Sequence, residues 1–145
     1  MIDEGRRPVS RHRQREFALQ VLFSGHFSQL GAEEKTLGRT FEHFAAENGW
    51  DPEELPLAWL LVQGVDRERE RIDQAISRHS QNWKINRIAK LELTILRISM
   101  FEMMFLPDIP SRVSINEAVE LAKDFGDGNS GVFVNGILDA VARSL

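Results

Sequence analysis

Residues 110 to 139 constrain the fold most. Ser114 and Glu117 stand three apart at the head of an apolar run, the spacing of a capping box, with Val113 and Ala118 at the staple positions. The helix they open runs to Phe125, and Gly126 suits the left-handed position that ends a helix. Asn129 or Ser130 caps a second helix, whose Val134, Ile137, Leu138 and Val141 share one face. The segment reads as two short capped helices joined by a glycine turn, with no catalytic constellation.

Helical periodicity recurs along the rest of the chain, and nothing alternates with period two for long. Ser10 can cap a first helix over roughly 11–28, with Phe17, Ala18, Val21 and Leu22 on its core stripe. A row four residues apart, Arg11, Arg15, Leu19 and Phe23, begins beside that stripe and drifts off it, which places Phe23 to one side. A second helix over roughly 32–48 presents Leu37, Phe41, Phe44 and Ala45 and ends at Gly49. Asp51, Pro52 and Glu54 fit the N-cap, N1 and N3 of a long third helix reaching about residue 79. Its run Asp66 to Arg71 alternates in sign and reads as a solvated face with i,i+3 pairs. Asn82 to Asn86, around Trp83, form a junction. A fourth helix over about 87–106 is apolar on two flanks and should be central. The expected fold is all-α: two packed three-helix bundles, with an arginine-rich N-terminal arm that should be mobile. The expected divisions are the arm at 1–9, an N-terminal helical subdomain at 10–81 and a C-terminal one at 82–145, in one compact domain.

Charge is distributed unevenly. The first fifteen residues hold five arginines against Asp3 and Glu4, a balance of +3 in a chain whose total is −4. The other 130 residues therefore carry −7. An acidic body with one basic arm suggests a local footprint on a polyanion. Arg6, Arg7, Arg11, Arg13 and Arg15 can each contact phosphate, and Phe23 and Phe133 are candidates for stacking on bases.

Enzymatic chemistry finds no support. There is no cysteine, so a thiolate metal site, a disulfide and a cysteine nucleophile are all excluded. That composition and an N-terminus without an apolar signal segment fit a cytoplasmic location. Gly126 to Gly131 matches G-x-G-x-x-G, but a helix precedes it where a dinucleotide site needs a strand. Asp124-Phe125-Gly126 resembles a kinase triplet without the rest of the kinase apparatus. His12, His26, His43 and His79 are scattered and no His/acid cluster has metal spacing, so neither metal nor cofactor is expected. Arg97 and Glu102 are expected to be buried charges satisfied by Glu117, Asn116 or a helix end. Gly136, beside Asn135, is expected to permit close helix approach.

Several blocks resemble the NusB family of transcription antitermination factors. They are the arginine cluster running into Arg15, Ala18, Gln20, Leu22 and Phe23; Trp83; Ile88-Ala89, Ile95-Leu96-Arg97 and Phe101-Glu102; Ile109-Pro110 and Ile115 to Gly126; and Ser130 with Phe133 to Asp139. The resemblance covers nearly the whole chain and is strongest in the last two blocks. It implies antitermination on ribosomal RNA operons, through binding of single-stranded boxA-like RNA together with the ribosomal protein NusE, in an RNA polymerase complex with other Nus factors. It implies RNA contacts from the arginine arm, with His12 in place of a usual arginine, and from Asn129, Ser130 and Phe133 near the second turn. It implies NusE contacts in the middle of the chain, at Glu92 with Arg87 and Lys90. The chain departs from the family pattern at Leu93, Asn129 and Val132, where an arginine, an acid and a basic residue are common. Two other readings are an RNA cytosine methyltransferase's helical domain, which lacks its cysteine here, and a protein-only module or homodimer using Phe23, Phe133 or the Trp83 region.

Overall fold

The computed structural model describes residues 9–25, 34–80 and 84–145, without the side chains of residues 34–36. Arg6, Arg7, His26 and Trp83 lie outside the described residues, as does most of the expected arm. The described residues form seven α-helices and no strand: α1 (Arg11–Ser24), α2 (Glu34–Glu47), α3 (Pro56–Arg67), α4 (Arg69–His79), α5 (Lys90–Phe105), α6 (Ser111–Phe125) and α7 (Ser130–Ser144). Short 3-10 turns at Pro52–Glu54 and Ile85–Arg87 lead into α3 and towards α5. None of these helices is long and apolar enough to cross a membrane.

The expected all-α architecture is present. α1 packs on α2, α3 and α5, while α6 and α7 pack on one another and both on α5. α5 is the shared post. It touches α1, α3, α4, α6 and α7, and ten of its sixteen residues are buried, from Leu93 to Met103 with one gap at Arg97. Burial on all sides follows from the two apolar flanks of its sequence. Gly64 lets α3 come close to α5: a Cβ there would fall 2.2 Å from the ring of Phe101.

The local signals are realised where they depend only on neighbours. Ser10 caps α1, its hydroxyl accepting from the Arg13 N–H at 3.2 Å. Asp51 and Glu54 form a capping box, although it opens the 3-10 turn and not the helix itself. Gly49 turns the chain at φ +72. Asp66 pairs with Arg69 and Glu68 with Arg71, three residues apart.

Four expectations are corrected. The long third helix breaks at Glu68, at φ −101 and ψ 17, into α3 and α4. No core residue lies between Val65 and Ile72 to hold the helix straight, and the break lets α4 pack on α5 and α7. There the Asp73 carboxylate accepts two hydrogen bonds from Arg97, at 2.9 and 2.8 Å. α6 begins at Ser111 after Pro110, so Ser114 is no cap and Val113 and Ala118 no staple. Gly126 is extended, at φ −100 and ψ −166. Its lack of a side chain matters because a Cβ would fall 2.4 Å from the Ser130 hydroxyl and 2.7 Å from the Ala122 carbonyl. Around Gly136 a Cβ would meet nothing within 4 Å, so no helix approaches there.

α3 has no side-chain cap of its own. Gln14 of α1, buried, supplies one: its Oε1 accepts from the N–H groups of Leu57 and Ala58 at 2.8 and 3.1 Å, and its Nε2 donates to the Val9 carbonyl. One amide thus satisfies two orphan donors of a helix start and fixes α1 against α3.

Candidate nucleic-acid interface

The arginines of α1 divide by direction. Arg11 and Arg13 are exposed, and the Arg13 guanidinium lies 5.5 Å above the ring of Trp50. Arg15, two residues on, points inward and is 2% exposed. Its Nε and Nη2 each donate to Glu102 at 2.8 Å, and Ser114 Oγ donates to the same carboxylate at 3.0 Å. Burial opposes the charge on Arg15, but the hydrogen bonds and charge of Glu102 outweigh it and hold the guanidinium more firmly protonated. Arg15 therefore belongs to the joint of α1, α5 and α6 and not to the exposed cationic edge. The partners expected for Glu102 and Arg97 are replaced by Arg15 and Asp73.

Beside Arg13 runs a groove of about 720 Å³. Phe23, Phe44, Trp50 and Phe125 form much of its wall, with Gln20 and Asn48 as polar points. Phe23 is half-buried, as its drift off the α1 core stripe predicts, and Phe125 is 51% exposed. Flat π faces next to an exposed guanidinium are the components of a single-strand stacking platform.

A second pocket, about 270 Å³, collects five of the residues singled out in the sequence: Arg87, Glu92, Asn129, Ser130 and Phe133. Ser130 is its hinge. Its hydroxyl donates to Glu92 Oε1 at 2.5 Å and accepts from the Asp127 N–H at 3.0 Å. The turn before α7 is thereby tied to the first turn of α5. Phe133 stands half-buried one turn further along α7, and Asn129 is exposed at the rim. Lys90 is exposed at the start of α5 but does not line the pocket. The fold thus places Glu92 and Arg87 with Asn129, Ser130 and Phe133, although the sequence had assigned the two groups to different partners. Val132, exposed by 77%, puts an apolar side chain beside this rim.

His12 is the residue whose setting sequence reasoning missed. Its Nε2 lies 2.7 Å from Glu16 Oε1 and its Nδ1 2.6 Å from Glu117 Oε2. The Glu117 hydrogen bond is the main cause holding the imidazole pKa above the usual histidine value; partial burial opposes it, and the charges of Glu117, Glu16 and Asp124 reinforce it. Only the contact with Glu16, four residues on, had a signal in the sequence.

An all-helical chain with an exposed arginine edge, an aromatic groove and a polar pocket has the parts of a small nucleic-acid-binding protein. The model of the NusB family matches residues 12–143, and the chain belongs to that family. It is 44% identical over 138 residues to the transcription antitermination protein NusB of Nitratidesulfovibrio vulgaris, with 94% of this chain and 90% of the relative covered. Its fold resembles that of T. maritima NusB at TM-score 0.84 and 34% identity, covering 94% of this chain and 93% of that one. A similar chain at TM-score 0.79 and 26% identity comes from a structure of antitermination factors NusB and NusE in complex with double-stranded RNA, covering 94% of this chain and all of that one.

Proposed function

We propose that this chain acts in transcription antitermination as a cytoplasmic RNA-binding adaptor without catalytic activity, joining boxA-like single-stranded RNA and NusE to an RNA polymerase complex with other Nus factors. The observation that carries the reading is the siting of exposed Arg13 at the edge of an aromatic groove, with exposed Arg11 two residues before it on α1 and the Glu92–Ser130–Phe133 pocket on the same α1–α5–α7 assembly. Arg11 and Arg13, with Arg6 and Arg7 ahead of them, hold phosphates. Phe23 and Phe133 stack on bases, and Asn129 offers an amide to a base edge. Ser130 and Glu92 act mainly on one another and shape the pocket floor. Exposed Arg87 and Lys90 lie at the head of α5, where NusE would sit next to the bound RNA.

The test is terminator readthrough in a purified transcription system with NusE, the other Nus factors and a boxA-containing leader. Readthrough should depend on this chain and fall when Arg11 and Arg13 are both replaced by alanine. Readthrough indifferent to the chain would remove the reading and leave a protein-only module.

A further inference from the structure

The fold gathers one histidine and three carboxylates from two helices that the sequence keeps far apart. His12 and Glu16 lie on α1, and Glu117 and Asp124 on α6. One ligand atom each from His12, Glu16 and Asp124 lies within 4.8 Å of the other two. Glu117 occupies the Nδ1 side of the ring, which leaves Nε2 facing Glu16. A carboxylate on one ring nitrogen that aims the other is the usual support of a metal-bound histidine, because it fixes the ring's orientation and raises its basicity.

Charge argues in the same direction. The three carboxylates outnumber the single positive charge that a protonated His12 can offer. Arg15, the buried cation that feels Glu117, is already held by Glu102. Asp124 is exposed and makes no hydrogen bond or ion pair with a described residue. The geometry points to a divalent transition-metal site, of the zinc type, formed by His12, Glu16 and Asp124, with Glu117 as the positioning residue. Imidazole nitrogen with carboxylate oxygen suits zinc over magnesium, which prefers an octahedron of oxygens. A tetrahedral ion about 2.0–2.1 Å from each ligand needs ligand atoms about 3.3 Å apart. Asp124 is exposed and Glu16 half-buried, so the adjustment required falls on side chains outside the core. Three protein ligands leave a position for water or another oxygen donor. A bound ion would clamp the start of α1 to the end of α6 beside Arg11 and Arg13.

The test is calorimetric titration of the chelator-stripped full chain with zinc chloride, and with magnesium chloride as control. No RNA is present, so the outcome is independent of the proposed function. The expected result is one saturable zinc site and no magnesium binding. Asp124→Asn, on an exposed side chain that leaves the His12–Glu117 contact intact, should weaken zinc binding at least tenfold without changing Tm. Glu117→Gln should weaken it about tenfold or more by loosening the ring. Absence of saturable zinc binding, or equal binding in wild type and Asp124→Asn, overturns the site.

Discussion

The Arg15 guanidinium and the Glu102 carboxylate, 87 residues apart in sequence, meet inside the protein through two 2.8 Å hydrogen bonds. Ser114 Oγ donates to Glu102, and Ser99 Oγ donates to the Ser114 carbonyl at 3.1 Å. The pair thus locks α1, which carries the exposed arginines, to α5 and α6 in one register. Buried ion pairs add little net stability when whole, but removing one partner leaves the other charge stranded.

Arg15→Ala should therefore cost about 3–5 kcal/mol of folding stability. Arg11→Ala, on an exposed side chain, should change stability by less than about 0.5 kcal/mol. Urea denaturation of both variants measures the contrast. Equal stability of the two would mean that Arg15 is not the structural arginine.

Two glycines should respond in opposite directions. Gly64→Ala drives a methyl group into the Phe101 ring and should destabilise by about 1–3 kcal/mol. Gly136→Ala fills open space on a helix and should stabilise by about 0.5–1 kcal/mol. Thermal melts of the two variants distinguish close approach from mere helix weakness. A stability loss at Gly136 would mean that a neighbouring element packs against this position after all.

Ser130→Ala removes the donor to Glu92 and the acceptor for the Asp127 N–H together. The expected loss is about 1–3 kcal/mol in stability. Amide exchange should quicken at Asp127 and stay unchanged in α3. Uniform quickening across the chain would instead point to global unfolding as the cause.

Phe133→Ala should weaken boxA-like RNA binding by about 1–3 kcal/mol if a base stacks there. Phe133 also packs partly against the core, so affinity is measured at a temperature where the circular dichroism of the variant matches wild type. Unchanged affinity at that temperature would take Phe133 out of the RNA site.

The legible part of this structure was the local part. The cap at Ser10, the box at Asp51 and Glu54, the turn at Gly49 and the sign-alternating face from Asp66 each depend on residues within a few positions. The central place of α5 followed from its two apolar flanks. The break at Glu68 had no breaker residue to announce it, since it follows from where α4 finds α5 and α7. Ser114 carried a capping pattern by coincidence. Its hydroxyl serves Glu102, and Glu117 reaches across to His12, 105 residues away. The arginine cluster was visible as charge, but only the fold separates outward Arg11 and Arg13 from inward Arg15. The convergence of Glu92 with Ser130, 38 residues apart, likewise needed α5 and α7 to be packed together.

Selective RNA binding through an outward cationic edge is decided by fluorescence anisotropy. A short boxA-like RNA and a scrambled control are titrated with and without NusE over a range of salt concentrations. Four phosphate contacts, from Arg6, Arg7, Arg11 and Arg13, predict a log–log salt slope of about −3 on a single strand. Replacing Arg11 and Arg13 together by alanine should flatten it to about −1.4. The expected result is boxA selectivity that tightens with NusE and a slope that responds to these two residues. Equal affinity for both RNAs with NusE present, or a slope unmoved by the double substitution, would contradict it.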